Sequence, residues 1–484
     1  MPHKRTAHSS FSHDSIDALG YDWERIANPE LAPKYPFKVY FPRTTDDVVT
    51  AVKEAVQLGH RLTVRSSGHS SNDLVLADGG AILSTQRLAG VLELDPAAPS
   101  VVVQSGVVLA ELDRYLKDHG LGLPVIGDHD AISAGGFASV GGISPASHRQ
   151  GMFIDNVIEL EYVAFDGQIA TASRARAPEL LDRLLAGTGQ FGIITKLKLR
   201  LLRVDKFATV LDRDRRLFTD LHAFLADTER RIRHPGDAVM ECGLWNDLRL
   251  GTRALAFGQF SQYHTTPQRL IKRLRNALGY GYLHGLGWCN GMLPLRVELL
   301  IKYLGIAGIL FSPRYATIKD VETFTDRTLD ESVGDPSRML IALVPADRYT
   351  QLFRALYQVC LGVRARTGAL TTISIYVKAI TSPYLTRAST AERHCELMLY
   401  LGLDAERMTA AVLDDMVSEI DDLCIAHGAF RYMHSKTVKD PRRQRIDPNA
   451  VHAARDPRSA SATATAAIDA GAGSAAIARA GKQP

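Results

Sequence analysis

The sequence predicts a two-domain α+β protein, and three observations lead to this fold class. The chain has 484 residues, 46% of them hydrophobic, so it can bury more than one core. Up to about residue 204, short strand patterns alternate with amphipathic helix patterns and glycine-rich segments. From residue 205 to 426, longer helical patterns and aromatic clusters such as YGYLHGLGW indicate a separate α+β domain.

The first predicted elements are a helix and the strand that follows it. Thr45 is a plausible N-cap, Asp46 and Asp47 occupy the first turn, and Gly59 stands where the helix should stop. One helical face carries the apolar residues Val48, Val52, Ala55 and Val56. The chain then enters a strand through Leu62 and Val64.

The next elements continue the same alternation. The strand pattern SVVVQSG precedes a helix whose Leu109, Leu112 and Leu116 share one side. The turn Asp166-Gly167 predicts a hairpin, and Pro178 opens another helix before the alternating strand ITKLKLRL. In the second domain, TTISIYVKAI is a strand candidate in which Tyr376 and Lys378 either line a substrate face or belong to a core sheet.

These patterns predict four regions of the chain. Residues 1–204 form the first domain, with a core of about 36–204 after a loosely structured arm over 1–35. Residues 205–426 form the second domain, and 427–457 return to the first. The tail 458–484 is rich in Ala, Ser and Gly and lacks an apolar face, which predicts disorder.

Composition excludes several functional classes. The net charge of +4 is small for this length, so no nucleic-acid partner is expected. No apolar run reaches the length of a membrane span, and the basic N-terminus lacks an apolar region typical of a signal peptide, so a cytoplasmic location is expected. The cysteines are odd in number and include no C-x-x-C pair, so neither a metal site nor a disulfide framework is predicted. They are Cys242, Cys289, Cys360, Cys395 and Cys424.

The stretch VRSSGHSSND places His69 among small residues directly after a strand pattern. Glycine and serine leave backbone N–H groups free to face a ligand, as in anion-binding nests. Two further glycine-rich segments follow, GDHDAISAGGFASVGGISPASHRQG from residue 127 and GTGQFGIIT from residue 187. Their spacing matches neither a Rossmann fingerprint nor a P-loop.

The ordered set FPRTTDDVVTAVKEA, VRSSGHS, GGFASVGGIS, DNVIELEYVAFDG and GTGQFGIIT resembles the FAD-binding domain of the PCMH-type, or vanillyl-alcohol oxidase, flavoprotein superfamily over residues 37–204. The resemblance implies a two-domain PCMH-type fold whose second domain covers the flavin. It also implies that FAD is attached covalently through His69, or that this histidine only packs on the ring. A second bond from a cysteine is excluded, because the segment 127–142 contains none.

The resemblance assigns cofactor contacts to the three glycine-rich segments. The residues implied are Arg65, Ser66, Ser67, Gly68, His69, Ser70, Gly135, Gly136, Ser139, Gly141, Gly142, Gly192, Ile193 and Ile194.

Within the superfamily, two resemblances point to different reactions. The segment 135–157 resembles cytokinin dehydrogenases, and Asp128 falls on their catalytic aspartate, although GDHD also resembles sugar-lactone and alditol oxidases. The spacing of Arg431 and Lys436 resembles the alditol, aldonolactone and decaprenylphosphoryl-ribose oxidases, where the lysine lies by the flavin and the substrate hydroxyl. His148 matches a pocket histidine of the last of these groups.

The expected function is FAD-dependent oxidation of a small molecule at a CH–OH centre, with Lys436, Asp128 and His148 as candidate catalytic residues. Gly142 matches a position where glycine admits oxygen to the flavin in galactonolactone dehydrogenases, so oxygen or another electron acceptor is expected. One alternative is CH–NH oxidation, as in cytokinin dehydrogenases. Another is a flavin-binding protein without turnover. The substrate is not indicated by any motif.

Overall fold

The computed structural model of the protein describes residues 16–28, 31–71, 73–129, 131–204, 208–250, 253–267, 336–432 and 443–455, with a few further positions between 270 and 321 and at 435. Helices and strands are mixed throughout, so the predicted α+β class is confirmed. The helices are Ile16–Leu19 (α1), Trp23–Ala27 (α2), Thr45–Gln57 (α3), Leu109–Lys117 (α4), Ala134–Val140 (α5), Ser147–Gln150 (α6), Pro178–Leu184 (α7), Leu221–Arg233 (α8), Tyr349–Thr367 (α9), Pro383–Ala388 (α10), Ala410–Ala426 (α11), Arg443–Ile446 (α12) and Pro448–Arg455 (α13).

The strands are Lys38–Tyr40 (β1), Leu62–Arg65 (β2), Ala81–Ser84 (β3), Val91–Asp95 (β4), Ser100–Gln104 (β5), Leu121–Gly122 (β6), Val157–Val163 (β7), Ile169–Ser173 (β8), Ile193–Arg200 (β9), Leu202–Arg203 (β10), Ala208–Asp212 (β11), Arg216–Phe218 (β12), Met240–Leu250 (β13), Arg253–Pro267 (β14), Tyr315–Ala316 (β15), Ser337–Pro345 (β16), Leu370–Ile380 (β17), His394–Leu403 (β18) and Phe430–Arg431 (β19).

The first domain contains three sheets, the smallest of which pairs β10 with β6. Strands β1, β3 and β2 form a parallel sheet in that order, and β4-β5-β9-β7-β8 form an antiparallel sheet. The predicted hairpin is present, because β7 and β8 pair across the turn at Asp166-Gly167. Local patterning and turn chemistry therefore predicted these elements correctly.

Helix α3 begins one residue earlier than predicted. Thr44, not Thr45, is the N-cap: its hydroxyl accepts a hydrogen bond from the Asp47 N–H, and the Asp47 carboxylate accepts one from the Thr44 N–H. This reciprocal capping box satisfies two backbone donors at once, which decides the boundary. Val56 is exposed, unlike the other three residues of the predicted apolar face.

The second domain is dominated by one antiparallel sheet of nine strands. Its order is β15-β11-β14-β13-β17-β18-β16-β19, with β12 paired to β14. Helices α8 and α9 pack against it, α11 packs on α9, and their apolar side chains form one core with the strands. The strand predicted at 371–380 lies at the centre, between β13 and β18.

The N-terminal arm is more ordered than predicted, because α1 and α2 lie within it. The Trp23 N–H donates to the Ser70 carbonyl in the first domain. The Asn28 side chain donates to the Ser337 carbonyl at 2.8 Å and accepts from the Ser337 N–H at 2.9 Å, which ties the arm to β16 of the second domain. The arm is therefore hydrogen-bonded to both domains.

The C-terminal segment divides between the two domains. Strand β19 adds to the sheet of the second domain, whereas α13 packs on α7 of the first. There the Asn449 side chain donates to the carbonyls of Asp182, Arg183 and Leu185. The predicted tail over 458–484 lies outside the described residues. Among the residues that are described, no helix has the length and hydropathy required to cross a membrane.

Candidate active site

A cavity of about 140 Å³ lies between the two domains. The first domain contributes the loop Ser66 to Ser70, the loop that starts at Asp128, and one side of α5. The second contributes side chains of β16 and β18 together with Tyr432, and Trp23 reaches the cavity from the arm. Most of its wall is apolar, with a few polar groups, which is the usual character of a small-molecule site.

The loop after β2 leaves buried polar atoms without partners. Arg65 is buried, and its Nε and Nη1 have no hydrogen-bond partner among the described residues. The same holds for the hydroxyls of Ser66 and Ser71. Burial lowers the pKa of Arg65 to about 10, which leaves it charged at neutral pH. Buried donors of this kind are normally satisfied, so the loop fits an anionic ligand such as a pyrophosphate.

Gly68 allows the loop to close over Arg65. Its φ is +81°, a conformation that side chains other than glycine's rarely adopt, and a Cβ here would lie 2.7 Å from Cζ of Arg65. The glycine is therefore required by the turn itself and by the guanidinium beneath it.

The double glycine Gly135-Gly136 lies in the first turn of α5, not in a loop. The Gly135 N–H donates to the Ser105 carbonyl at 2.7 Å, and a Cβ on Gly135 would lie 2.6 Å from Cβ of Ser105. Gly136 lines the cavity, whereas the Ser139 hydroxyl donates to the Gly135 carbonyl within the helix. The segment thus brings helix backbone close to the cavity on one side and to β5 on the other.

Gly141 and Gly142 end α5 with φ values of +120° and +78°. The Gly142 N–H donates to the Tyr432 hydroxyl at 2.8 Å, which connects this turn to the second domain. A Cβ on Gly142 would lie 2.7 Å from Cε1 of Phe137 and would also overlap Phe153. Backbone conformation and packing therefore account for this glycine, independently of any effect on oxygen.

We expect Gly142→Ala to lower the free energy of unfolding by about 2 kcal/mol or more, from backbone strain together with overpacking. Thermal unfolding compares it with Gly167→Ala, which has a similar φ of +82° but only the flexible Lys53 side chain as a close neighbour. The Gly142 variant should melt several degrees lower than the Gly167 variant. Equal melting temperatures would contradict the packing explanation.

The third glycine-rich segment supports the second but lies away from the cavity. The Ala186 N–H donates to the Ala138 carbonyl and the Thr188 N–H to the Ser139 carbonyl, so this loop packs on α5. Gly192, Ile193 and Ile194 do not line the described cavity; Ile193 and Ile194 begin β9 and are buried in the sheet. Their assignment as cofactor contacts stays a prediction.

His69 lies against a second histidine at the cavity. Its ring centroid is 3.6 Å from that of His129, with 41° between the planes. Nδ1 of His129 accepts a hydrogen bond from the Ala131 N–H at 3.0 Å, so His129 carries its proton on Nε2 when neutral. The loop after β2 and the loop at residue 128 thus meet at two imidazole rings in the cavity wall.

Asp128 lies beside this histidine pair and contacts the second domain. Its Oδ2 accepts a hydrogen bond from Nζ of Lys378 at 2.5 Å, whereas its buried Oδ1 has no hydrogen-bond partner among the described residues. Asp128 lines the cavity, so its carboxylate lies where it could accept a hydrogen bond from a donor group bound there.

His148 is not among the residues that line the cavity. Its Nδ1 lies 3.1 Å from the Pro145 carbonyl and its Nε2 2.9 Å from the Ala238 carbonyl. Burial lowers its pKa, although the two carbonyls oppose this, so a neutral ring donates to one of them. These contacts join the segment after Gly142 to the second domain, and the catalytic role of His148 stays a prediction.

Lys436 lies outside the described residues, but part of its motif is visible. Arg431 is fully buried in an ion pair with Asp421, and its Nε donates to the Ile341 carbonyl. Tyr432, the next residue, lines the cavity. The arginine of the motif is therefore structural, and the chain after it reaches the site.

Sequence reasoning missed the apolar residues of the cavity wall and also four of its residues with polar or aromatic side chains: Trp23, His129, Glu396 and Tyr432. His129 is adjacent to Asp128 in the GDHD stretch, so its proximity to the site could have been inferred. The other three arrive from the arm and from distant strands, and no local pattern distinguishes them from ordinary core residues. Within the described part of the chain, no group of three His, Cys, Asp or Glu residues could hold a metal ion.

Comparison with known proteins identifies the first domain. Residues 36–173 match the family model described as an FAD binding domain. This part of the chain is an FAD-binding domain of the PCMH type. The unpartnered donors of Arg65, Ser66 and Ser71 fit the pyrophosphate of that cofactor, and the close approach at Gly135 and Gly136 fits a flat ligand over α5.

The chain is similar to cytokinin dehydrogenase 1 of Oryza sativa subsp. japonica, at 26% identity over 67% of this chain and 65% of that protein. It is 35% identical to the uncharacterized oxidoreductase ORF5 in the fasciation locus of Rhodococcoides fascians, over 34% of this chain and 37% of that protein. Cytokinin dehydrogenase 1 of Arabidopsis thaliana is 32% identical over 45% of this chain and 40% of that protein. Each alignment covers less than two thirds of the relative.

Proposed function

We propose that the protein is an FAD-dependent oxidoreductase that oxidises a small molecule at a carbon bearing nitrogen. The observation that carries the proposal is the carboxylate of Asp128, a residue of the cavity wall whose Oδ1 has no hydrogen-bond partner among the described residues. Support also comes from the FAD-binding domain and from relatives that are named cytokinin dehydrogenases.

The residues of the chain have separate roles in this reaction. Arg65 and the serines of the loop after β2 hold the pyrophosphate, and the turns around α5 support the ring. Bound FAD supplies a two-electron acceptor for the hydride that leaves the substrate carbon. Asp128 orients the substrate by accepting its N–H and takes that proton as the C=N bond forms, so the hydride and the proton leave by different routes.

A second candidate is oxidation of a CH–OH centre, with the proton taken from a hydroxyl. It is favoured by the position of Tyr432 in the cavity wall, four residues before Lys436 in the motif shared with alditol and aldonolactone oxidases. In that reaction Lys436 would stabilise negative charge on the reduced flavin. Oxygen as the electron acceptor and a cytoplasmic location remain predictions.

Anaerobic mixing with a panel of secondary amines, polyols, lactones and aromatic alcohols tests the proposal. We expect loss of the visible flavin absorption with at least one amine, at a rate above that of every alcohol. Faster bleaching by a polyol or lactone would favour the CH–OH candidate. A yellow preparation that no donor bleaches would favour a flavin-binding protein without turnover.

We further propose that FAD is bound covalently through His69. Its ring lies in the cavity wall at the loop that fits the pyrophosphate, next to His129. Acid precipitation should leave the yellow colour with the protein, and in His69→Ala it should release the colour to the supernatant. His129→Ala is the matched control and should keep the colour in the precipitate. Free FAD from the unmutated protein would contradict the covalent bond.

A further inference from the structure

Three charged side chains meet at the wall of the cavity. Nζ of Lys378 lies 2.5 Å from Oδ2 of Asp128 and 3.1 Å from Oε2 of Glu396. Lys378 and Glu396 are buried, with side-chain exposures of 2% and 3%. The two carboxylate oxygens are therefore no farther apart than the sum of these two distances, with the ammonium group between them.

The two partners of Lys378 are held by different parts of the fold. Lys378 and Glu396 face each other in register across β17 and β18, so the central sheet fixes their separation. Asp128 comes from the loop of the first domain that carries His129. The contact between Lys378 and Asp128 is thus an ion pair between the domains, and it occupies one oxygen of the carboxylate that faces the cavity.

Three further buried groups near this cluster, the thiol of Cys242 and the phenols of Tyr376 and Tyr432, are neutral around pH 7, whereas the imidazoles of His69 and His129 lie with Asp128 at the cavity wall. Burial raises the pKa of Cys242 on β13 to about 12, and it also raises the pKa values of Tyr376 on β17 and of Tyr432. Burial opposes the charge of Lys378, but Asp128 and Glu396 more than offset it, so its pKa is raised. Asp212 forms an ion pair with Arg215 near Cys242.

Removing the ammonium group would leave the buried carboxylate of Glu396 close to the partly buried carboxylate of Asp128. Two like charges at such a distance cannot both ionise readily, so they share a proton and the pKa of the pair rises by one unit or more. With the ammonium in place, its positive charge offsets part of the repulsion between the carboxylates, although burial still raises the pKa of Glu396.

We infer that Lys378 is a positioning residue: it holds the Asp128 carboxylate at the cavity through Oδ2, while Glu396 anchors Lys378. The inference rests on the proposed function, in which Asp128 takes the substrate proton. It assigns no contact with substrate to Lys378 itself. Its consequence is that the operating pH of the enzyme depends on a lysine of the second domain.

Lys378→Met tests the inference, with Lys378→Met/Glu396→Gln as its matched partner. In the single variant, we expect the pH profile of anaerobic flavin reduction to move to higher pH by about one unit or more. The reduction rate at pH 7 should then be lower by about tenfold or more. In the double variant only one carboxylate remains, and the profile should return toward that of the parent protein.

Thermal unfolding of the FAD-loaded proteins provides a readout that does not depend on turnover. A shared proton gives the pair a higher pKa in the folded than in the unfolded state, so its contribution to stability is present at low pH and is lost as pH rises through the folded pKa. Between pH 5 and 8, the melting temperature of Lys378→Met should therefore fall more steeply than that of the parent or the double variant.

The outcomes separate the inference from the proposed function. If the single and double variants lose reduction rate equally and both keep the pH dependence of the parent protein, Lys378 contributes packing alone. That result would overturn the inference. If Lys378→Met does not fold but the double variant does, repulsion between the two carboxylates is the cause, as the inference requires. If neither variant folds, the inference is overturned. If no donor reduces the flavin, the proposed function fails, and the melting curves still decide whether the charge cluster exists.

Discussion

Replacing Arg65 with methionine is expected to weaken FAD binding by about 100-fold or more. Methionine keeps most of the apolar length of the side chain but removes the guanidinium group, whose Nε and Nη1 have no partner among the described residues. Each charge-assisted hydrogen bond to a phosphate contributes about 1.5–3 kcal/mol, so the loss of two corresponds to at least this factor.

The measurement requires reversible binding, so it is made in the His69→Ala background, by titrating FAD-free protein and following flavin fluorescence. Arg61→Met is the matched control, because Arg61 is exposed directly before β2 on the same segment of chain. The control should bind FAD with unchanged affinity. An unchanged dissociation constant in the Arg65 variant would show that this side chain does not face the pyrophosphate.

In Asp128→Asn, anaerobic reduction of the flavin is expected to be slower by about 10²- to 10⁴-fold. Asparagine has the same shape and still offers an oxygen to the cavity, but it cannot take the substrate proton. Stopped-flow absorbance with one good donor measures the rate constant. Asp166→Asn, at the exposed hairpin turn, is the control and should react at the parent rate.

Lys436→Met in the same experiment distinguishes the two candidate reactions. For oxidation at a carbon bearing nitrogen, the Asp128 variant should be impaired more than the Lys436 variant. For oxidation of an alcohol the order reverses, because the reduced flavin loses a fixed positive charge near it. Near-normal rates in both variants would mean that neither side chain acts in the reaction.

The parts of this protein that sequence reasoning found are those determined by short stretches of chain. The hairpin at Asp166-Gly167 and the helix starting at Pro178 depend on residues within a few positions of one another. The loop around His69 was found in the same way, since its glycine and serines are contiguous. Thr44 and Thr45 are both suitable N-cap residues, and the capping box at Thr44 makes the helix begin one residue earlier than predicted.

The parts that it missed depend on contacts between distant residues. Lys378 and Asp128 are 250 positions apart, and their pairing follows from how the two domains meet. Glu396 faces Lys378 only because of the register between β17 and β18, which no local pattern specifies. Trp23 lies in an arm whose order comes from Ser70 and Ser337, residues of two different domains.

We expect the cavity between the domains to hold the flavin ring, with Asp128 beside the reacting atoms of the substrate. A crystal structure of the FAD-loaded protein, grown with a secondary amine that reduces it slowly, tests this arrangement. The pyrophosphate should lie on Arg65, the ring at His69, and the amine nitrogen within hydrogen-bond distance of the Asp128 carboxylate, whose Oδ2 remains on Lys378. A flavin bound elsewhere, or an amine held away from Asp128 by other groups, would contradict it.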